Sequence, residues 1–316
     1  MTVLTVTLHP AVDKVVRTNR LVPNEICRVK IEMVYGGGKG NNVARALVHL
    51  NVPVIATGYQ GGYSGSFITQ SLSEEGIHTE FVICKASTRT STLIQEDDTG
   101  HTFAVYEPGQ EVSEEEIEAL MARFEELLGK VNLVLLCGSG QTPLLGGVYA
   151  RMIELARQRG VRCLLDSSGL ALEKGIKARP YMVKVNEHEL SAYVGRELAS
   201  RSAQVKALLE LQATGIPVVA ISRGPDGMIA TDGKEVWEAK VAVDRVVNVV
   251  GCGDSLLAGI AKVLSENGDL KEIVRWGVSC GTANTQVRGA GFIEMETVQA
   301  LLPKVLLQQL SLEGVN

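Results

Sequence analysis

This 316-residue sequence predicts a doubly wound α/β fold with a mainly parallel sheet, carrying a small antiparallel β sheet apart from it. Three observations predict it. Runs such as "LVLL" and "VVAI" are apolar at successive positions, as strands buried on both faces are. Such runs alternate with segments of helical spacing and end in Gly or Ser. Two segments, about 14–35 and 88–106, break the rhythm, being strand-rich with no helix between their strands.

In order, "TVLTVTL" alternates as a strand, and "NVARALVHL" is a helix with Val43, Leu47 and Leu50 on one face. "VPVIATGY" is a strand, and "SGSFITQSLSEEG" a helix ended by Gly76. "EDDTGHT" is a hairpin turn and "SEEEIEAL" a solvated helix start. Strand "VNLVLLCG", helix "LGGVYARMIELARQRG" and strands "VRCLLDSS" and "YMVKVN" follow. Helices "EHELSAYVG" and "RSAQVKALLELQATG" then precede strand "IPVVAISRG". From Ser255 a helix carries Leu256, Leu257, Ile260, Val263 and Leu264 until Asn267 and Gly268 stop it.

Composition narrows the class. A net charge of −5 gives no support for nucleic acid or an anionic membrane as partner. The six cysteines include no C-x-x-C pair and no nearby His, so reduced thiols of a cytoplasmic protein are expected. The N-terminus lacks the basic region and long apolar core of a signal peptide, and no run of 18 apolar residues is present to span a membrane.

The chemistry gathers at glycine turns and strand ends. In "NVVGCGDSLLAGI", Gly251, Cys252 and Gly253 lead into a helix with Asp254 in its first turn. An Asp there suits a simple cap. Equally, glycines let backbone N–H groups converge on a phosphate while the carboxylate takes a proton from a hydroxyl. "YGGGKGNNVARAL" repeats the theme, with Gly38, Lys39 and Asn42 placed for an anion or a polyol. Asp13 follows the first strand, where open α/β sheets bind ligands, although a turn Asp reads the same way. Asn186 and Glu189 in "KVNEHEL" suit either a capping box or a water-rich Mg²⁺ site. "SRGPDG" places Ser222, Gly224 and Gly227 at another strand end, and no P-loop or dinucleotide fingerprint is present.

In this order the motifs resemble the ribokinase-like carbohydrate kinases, specifically the phosphofructokinase B branch that holds 1-phosphofructokinase and tagatose-6-phosphate kinase. The resemblance rests on "TLHPAVDK", "GGKGNNVARAL", "TRTS", "DSSG", "KVNEHEL", "SRGPDGMIA" and "VNVVGCGDSLLAG", and covers almost the whole chain. It implies one kinase domain over residues 1–316, with a lid built from the two strand-rich inserts.

At matching positions the resemblance implies that Asp254 is the catalytic base and that Gly251, Cys252 and Gly253 form the anion hole. Asp13, Gly38, Lys39 and Asn42 become sugar contacts, and Arg28 and Arg89 converge from the lid on the substrate's own phosphate. Lys184, Asn186, Ser222, Gly224 and Gly227 become ATP contacts, with Glu189 acting on Mg²⁺ through water. A monovalent cation is compatible with the family, and such lids often make a homodimer contact.

The expected reaction is ATP-dependent phosphorylation of fructose 1-phosphate, with tagatose 6-phosphate or fructose 6-phosphate as alternatives. A non-catalytic sugar-phosphate or nucleotide sensor is the alternative of another class. The sequence departs from the pattern at Cys252, His9, Asn41, Ser91 and "SGQTP". His9, Asn41 and Ser91 are expected on the substrate side, where they bear on which sugar phosphate fits.

Overall fold

The computed structural model describes residues 1–140 and 142–311; Gln141 of the "SGQTP" loop lies outside them. The chain begins with β1 (Val3–Thr7), β2 (Ala11–Thr18), β3 (Lys30–Gly37), α1 (Lys39–His49), β4 (Val54–Gln60) and α2 (Gly62–Glu74). Then come β5 (His78–Thr79), β6 (Val82–Ile83), β7 (Arg89–Glu96), β8 (Thr102–Tyr106), α3 (Glu114–Leu128) and β9 (Leu133–Cys137). The middle holds α4 (Val148–Gln158), β10 (Arg162–Asp166), α5 (Gly169–Lys177), β11 (Met182–Asn186), α6 (Glu187–Val194), α7 (Arg201–Gln212) and β12 (Val218–Ser222). The chain closes with β13 (Met228–Thr231), β14 (Val236–Lys240), α8 (Cys252–Ser265), α9 (Leu270–Asn284), α10 (Met295–Leu301) and β15 (Leu306–Leu310).

Among the described residues these strands form an eleven-stranded sheet in the order β15-β14-β13-β12-β11-β10-β9-β1-β4-β5, with β6 also on β4. Pairing is parallel from β12 across to β5. It is antiparallel along β12-β13-β14-β15, an edge that the sequence reading did not place.

The apolar runs explain the layering. In β9, Val134 and Leu136 pack into one core with α3, α4, α5, α6 and α7. Leu133, Leu135 and Cys137 face the opposite core with α1, α2, α8, α9 and α10. Side chains alternate across a strand, so a run buried at every position needs helices on both faces. Each fully buried aliphatic side chain contributes about 1.5–3 kcal/mol. α8 stops as expected: Asn267 takes φ 58° and the Gly268 N–H donates to the Val263 carbonyl at 2.9 Å.

The two strand-rich inserts do form one separate four-stranded sheet, in the order β3-β2-β7-β8. Its hairpins β2–β3 and β7–β8 are antiparallel and join through a parallel β2–β7 pair. Ala11 lies opposite both Gly37 and Arg89, so β2, β3 and β7 all meet the body at the same end. Outward, Arg288 of the loop after α9 donates to Glu32 on β3. Among the described residues this is the one ion pair between the small sheet and the body. No described helix is long and apolar enough to cross a membrane.

Candidate active site

Parallel strands bring their C-terminal ends to one edge, and most of the predicted residues collect there. Asp166 ends β10, Asn186 ends β11 and Ser222 ends β12. The turn before α8 arrives at the same edge: Gly251 is its N-cap at φ 84°, a left-handed conformation, and a Cβ there would lie 2.3 Å from Ala290 Cβ. Only glycine serves both demands. Asp254 follows in the first helical turn, buried, and its Oδ2 accepts from Asn42 Nδ2 at 2.8 Å.

Asp13 sits on β2 facing the other glycine loop. A Cβ on Gly37 would fall 1.9 Å from Asp13 Oδ2, so the glycine makes room for the carboxylate, which accepts the Gly38 N–H. Burial pushes Asp254 and Asp13 up to about 6. Lys39 and the Asn42 hydrogen bond oppose this at Asp254, and Arg45 and Arg89 oppose it at Asp13. Both groups thus sit near neutrality, where a carboxylate exchanges a proton with a substrate most effectively.

Asp166 is the functional residue that sequence reasoning left without a role. It lies between two lysines, with Lys39 Nζ 3.5 Å from Oδ1 and Lys184 Nζ 3.5 Å from Oδ2. Burial alone would raise its carboxyl, but Lys184 and Lys39 outweigh burial and hold it below its ordinary value. Asp166 in turn pushes the Lys39 ammonium up, so that lysine stays charged. Lys184 Nζ also lies 3.5 Å from the position a Cβ would take on Gly253. One ammonium therefore stands over the N-terminus of α8, where the helix dipole already favours an anion. An acid at a strand's C-terminal end was the available signal, the same one that singled out Asp13.

Two cavities flank this centre. One, about 490 Å³, includes Ser222, Gly224, Gly227, Cys252 and Gly253, with an apolar wall containing Val243 and Val278. The other, about 270 Å³, lies under the small sheet and includes Asp13, Tyr35, Ser91, Arg245, Asn248 and Arg288. The loop before α8 divides them, and Val246 lines both. Arg245 and Arg288 lie in irregular segments, where no periodic pattern marks them.

Asn186 and Glu189 form a capping box: Asn186 Oδ1 accepts the Glu189 N–H at 2.9 Å, and Glu189 Oε2 accepts the Asn186 N–H at 2.8 Å. Glu189 Oε1 stays outside this box, and burial together with Asp166 raises the carboxyl. No cluster of three or more metal-ligating side chains exists among the described residues.

Arg89 stands at the body end of the small sheet, its Nη1 donating to the Glu107 carbonyl at 3.1 Å. Arg28 is exposed and lies beside Thr18, whose Oγ1 donates to the Arg28 carbonyl at 3.2 Å. Seven strand residues, about 23 Å, separate the two ends. The expected convergence of Arg28 and Arg89 is not formed within one chain, because β2 and β7 run parallel and Arg28 follows the turn at their far end. Asn41 does not face the substrate side; it is fully buried and donates to the Gly37 carbonyl at 2.8 Å. Ser91 does line the cavity under the small sheet, and burial with Arg89 lowers His9 to about 4, leaving its ring neutral.

Residues 9–297 match the pfkB family of carbohydrate kinases. The chain belongs to that family. It is 33% identical to 1-phosphofructokinase of Bacillus subtilis (strain 168) over 308 residues, 98% of this chain and 100% of that one. The structure resembles phosphofructokinase-2 from Escherichia coli in complex with potassium, with a TM-score of 0.88 and 29% identity over 95% of this chain and 98% of that. It also resembles a ribokinase from Arabidopsis thaliana complexed with ribose and ATP, with a TM-score of 0.76 and 20% identity over 95% of this chain and 98% of that, which bears on the fold alone. This pfkB-family protein is an ATP-dependent phosphosugar kinase with a ribokinase-like fold.

Proposed function

We propose that this kinase transfers the γ-phosphoryl group of ATP to the 6-hydroxyl of fructose 1-phosphate, giving fructose 1,6-bisphosphate. One observation carries the assignment of roles: the glycine turn that leads into Asp254 runs between an apolar-walled cavity, lined by Cys252 and Gly253, and a second cavity containing arginines and a carboxylate. The choice of sugar rests on the Bacillus subtilis relative.

In this reading the nucleotide lies against Ser222, Gly224 and Gly227, and the sugar against Asp13, Gly38 and Asn42. Arg89 serves the substrate's phosphate, while Arg28 stays outside the site of its own chain. Asp254 takes the proton of the acceptor hydroxyl as the oxygen–phosphorus bond forms and the bond from the γ-phosphorus to the β-phosphate oxygen breaks. Backbone N–H groups of Gly251, Cys252 and Gly253, with Lys39 and Lys184, hold the charge that spreads over the phosphoryl oxygens.

A magnesium ion bound with ATP would neutralise phosphate charge, and Glu189, whose Oε1 is outside the capping box, would hold one of its waters. Mg²⁺ bound with a nucleotide keeps several waters and phosphate ligands, so a single carboxylate acting through water suffices. The potassium complex of the Escherichia coli relative supports including a monovalent cation in assays. The small sheet serves as a lid. Its exposed Ile31, Val34, Phe103 and Val105 suit a second copy of the chain as cover, giving a homodimer.

The test is ATP consumption with fructose 1-phosphate, fructose 6-phosphate, tagatose 6-phosphate and free fructose. The highest kcat/KM is expected for fructose 1-phosphate. A clear preference for a 6-phosphate would move the assignment to that sugar. No turnover on any of them would favour a sensor.

A further inference from the structure

We propose that Arg45 is a positioning residue for phosphoryl transfer: it fixes the amide of Asn42 so that Asn42 donates to Asp254, while no part of Arg45 is open to substrate. The inference rests on Asp254 being the base.

Asn42 and Arg45 are three apart on α1 and so share a helix face. Arg45 is fully buried. Its Nε donates to Glu75 Oε2, its Nη1 to Asn42 Oδ1 and the Ala290 carbonyl, both at 3.1 Å, and its Nη2 to the Gly36 carbonyl at 2.6 Å and Glu75 Oε1 at 3.1 Å. A guanidinium has five N–H donors, and all five are used. The Tyr35 and Phe292 rings hold the group at 4.9 and 4.5 Å from their centroids. An arginine with no donor left cannot also grip a phosphate.

What it does is set polarity. An Asn amide has nearly the same shape either way round, and its partners decide which end points where. Arg45 can only donate, so Asn42 Oδ1 must face it and Nδ2 must face Asp254 Oδ2. The reversed amide would press its oxygen on a carboxylate and its NH₂ on a guanidinium. With Oδ2 held, Asp254 keeps Oδ1 for the acceptor hydroxyl. A lysine offers three donors and no plane, so it cannot reproduce this arrangement.

The titratable groups around Asp254 are Lys39 on α1, Asp166 on β10, Lys184 on β11, Asp13 on β2, Tyr35 on β3, the Cys137 thiol on β9 and the Cys252 thiol on its own helix. Around Arg45 stand Glu75 after α2, Tyr35 on β3, Asp13 on β2 and His49 on α1. Loss of the Asn42 donor removes a bond that favours ionised Asp254, so the acid limb of the kcat profile moves to higher pH.

The experiment compares Arg45→Lys, Arg45→Met, Glu75→Ala and Asp254→Asn by kcat, both KM values and the kcat–pH profile, scaled to folded protein. Arg45→Lys and Arg45→Met are expected to lower kcat about 10- to 100-fold. The nucleotide KM should stay within about twofold and the acid limb should move upward. Unchanged kcat and pH limb per folded molecule, with only lowered stability, would overturn the proposal. If neither Arg45 variant folds, Glu75→Ala decides, because it frees two guanidinium contacts through a residue already partly exposed. A several-fold fall in kcat with an upward limb supports the proposal, and no change in either overturns it. If Asp254→Asn keeps its turnover, the base assignment fails and this inference with it. If Asp254→Asn is inactive while the Arg45 and Glu75 variants behave as wild type, this inference alone fails.

Discussion

Asn42 donates its side-chain amide to Asp254 Oδ2 at 2.8 Å across 212 positions of sequence. The bond ties the first glycine-loop helix to the last and puts a neutral donor beside a buried carboxylate. Asp254→Asn should lower kcat about 100-fold or more and leave nucleotide KM within a few-fold. Near wild-type turnover would reduce Asp254 to a helix cap.

The pH dependence follows from burial. With Asp254 and Asp13 both pushed up to about 6 in the free protein, kcat/KM should fall as pH drops through about 6 and level off above about 7. The midpoint belongs to the coupled pair. For the free protein, these carboxyls bind protons more readily folded than unfolded, where the ordinary value is 3.8. Their contribution to stability therefore weakens as pH rises from about 4 to about 6. A kcat/KM profile flat from pH 5 to 8 would count against Asp254 as base.

Asp166→Ala leaves Lys39 and Lys184 without their shared counterion. Removing one partner of a buried pair costs about 3–5 kcal/mol. The Lys39 share is smaller, since that side chain is 41% exposed and screened. A lower Tm and a fall in kcat of about tenfold or more are expected, read by thermal melts and steady-state kinetics. A variant matching wild type in both would remove Asp166 from the site.

Gly37→Ala puts a methyl where Asp13 Oδ2 now sits. The carboxylate must swing away, so sugar KM should rise about tenfold or more with nucleotide KM unchanged. Equal changes in both constants would point to a disturbed glycine loop instead.

Arg89 is the cation of the small sheet that faces the buried acid. Charge-assisted hydrogen bonds are worth about 1.5–3 kcal/mol. Arg89→Ala should therefore lower kcat/KM for fructose 1-phosphate about tenfold or more and barely alter any activity on free fructose. An equal loss on both substrates would mean that Arg89 supports the small sheet rather than a phosphate.

Much of this was legible because the relevant signals are local. A strand apolar at every position announces helices on both faces, and glycines around an acid at a helix start announce a crowded turn. Asp13, Lys39, Asn42 and Asp254 were singled out by such local signals, while Lys184 came only from the family resemblance. The misses depend on how distant segments pair. Whether β2 and β7 run parallel decides which end of the small sheet Arg28 occupies, and neither strand encodes that alone. Asn41 reads like its neighbour Asn42, yet helical rotation turns one to the Gly37 carbonyl and the other to Asp254. Arg45 looks like an ordinary charged helix position, because three of its four hydrogen-bond partners, Gly36, Glu75 and Ala290, come from other parts of the chain.

The shared attachment of β2, β3 and β7 has a mechanical consequence. The small sheet is a blade fixed along one short edge, with Ala11, Gly37 and Arg89 at the root and Thr18, Lys30 and Glu96 toward the tip. A turn of about 10° at the root carries a tip about 23 Å away through about 4 Å. Arg288 and Glu32 clasp the blade part-way along, through an ion pair exposed enough to be worth at most about 1 kcal/mol. The leverage is therefore large and the catch weak, so small displacements at the glycine loop are magnified over the cavity beneath.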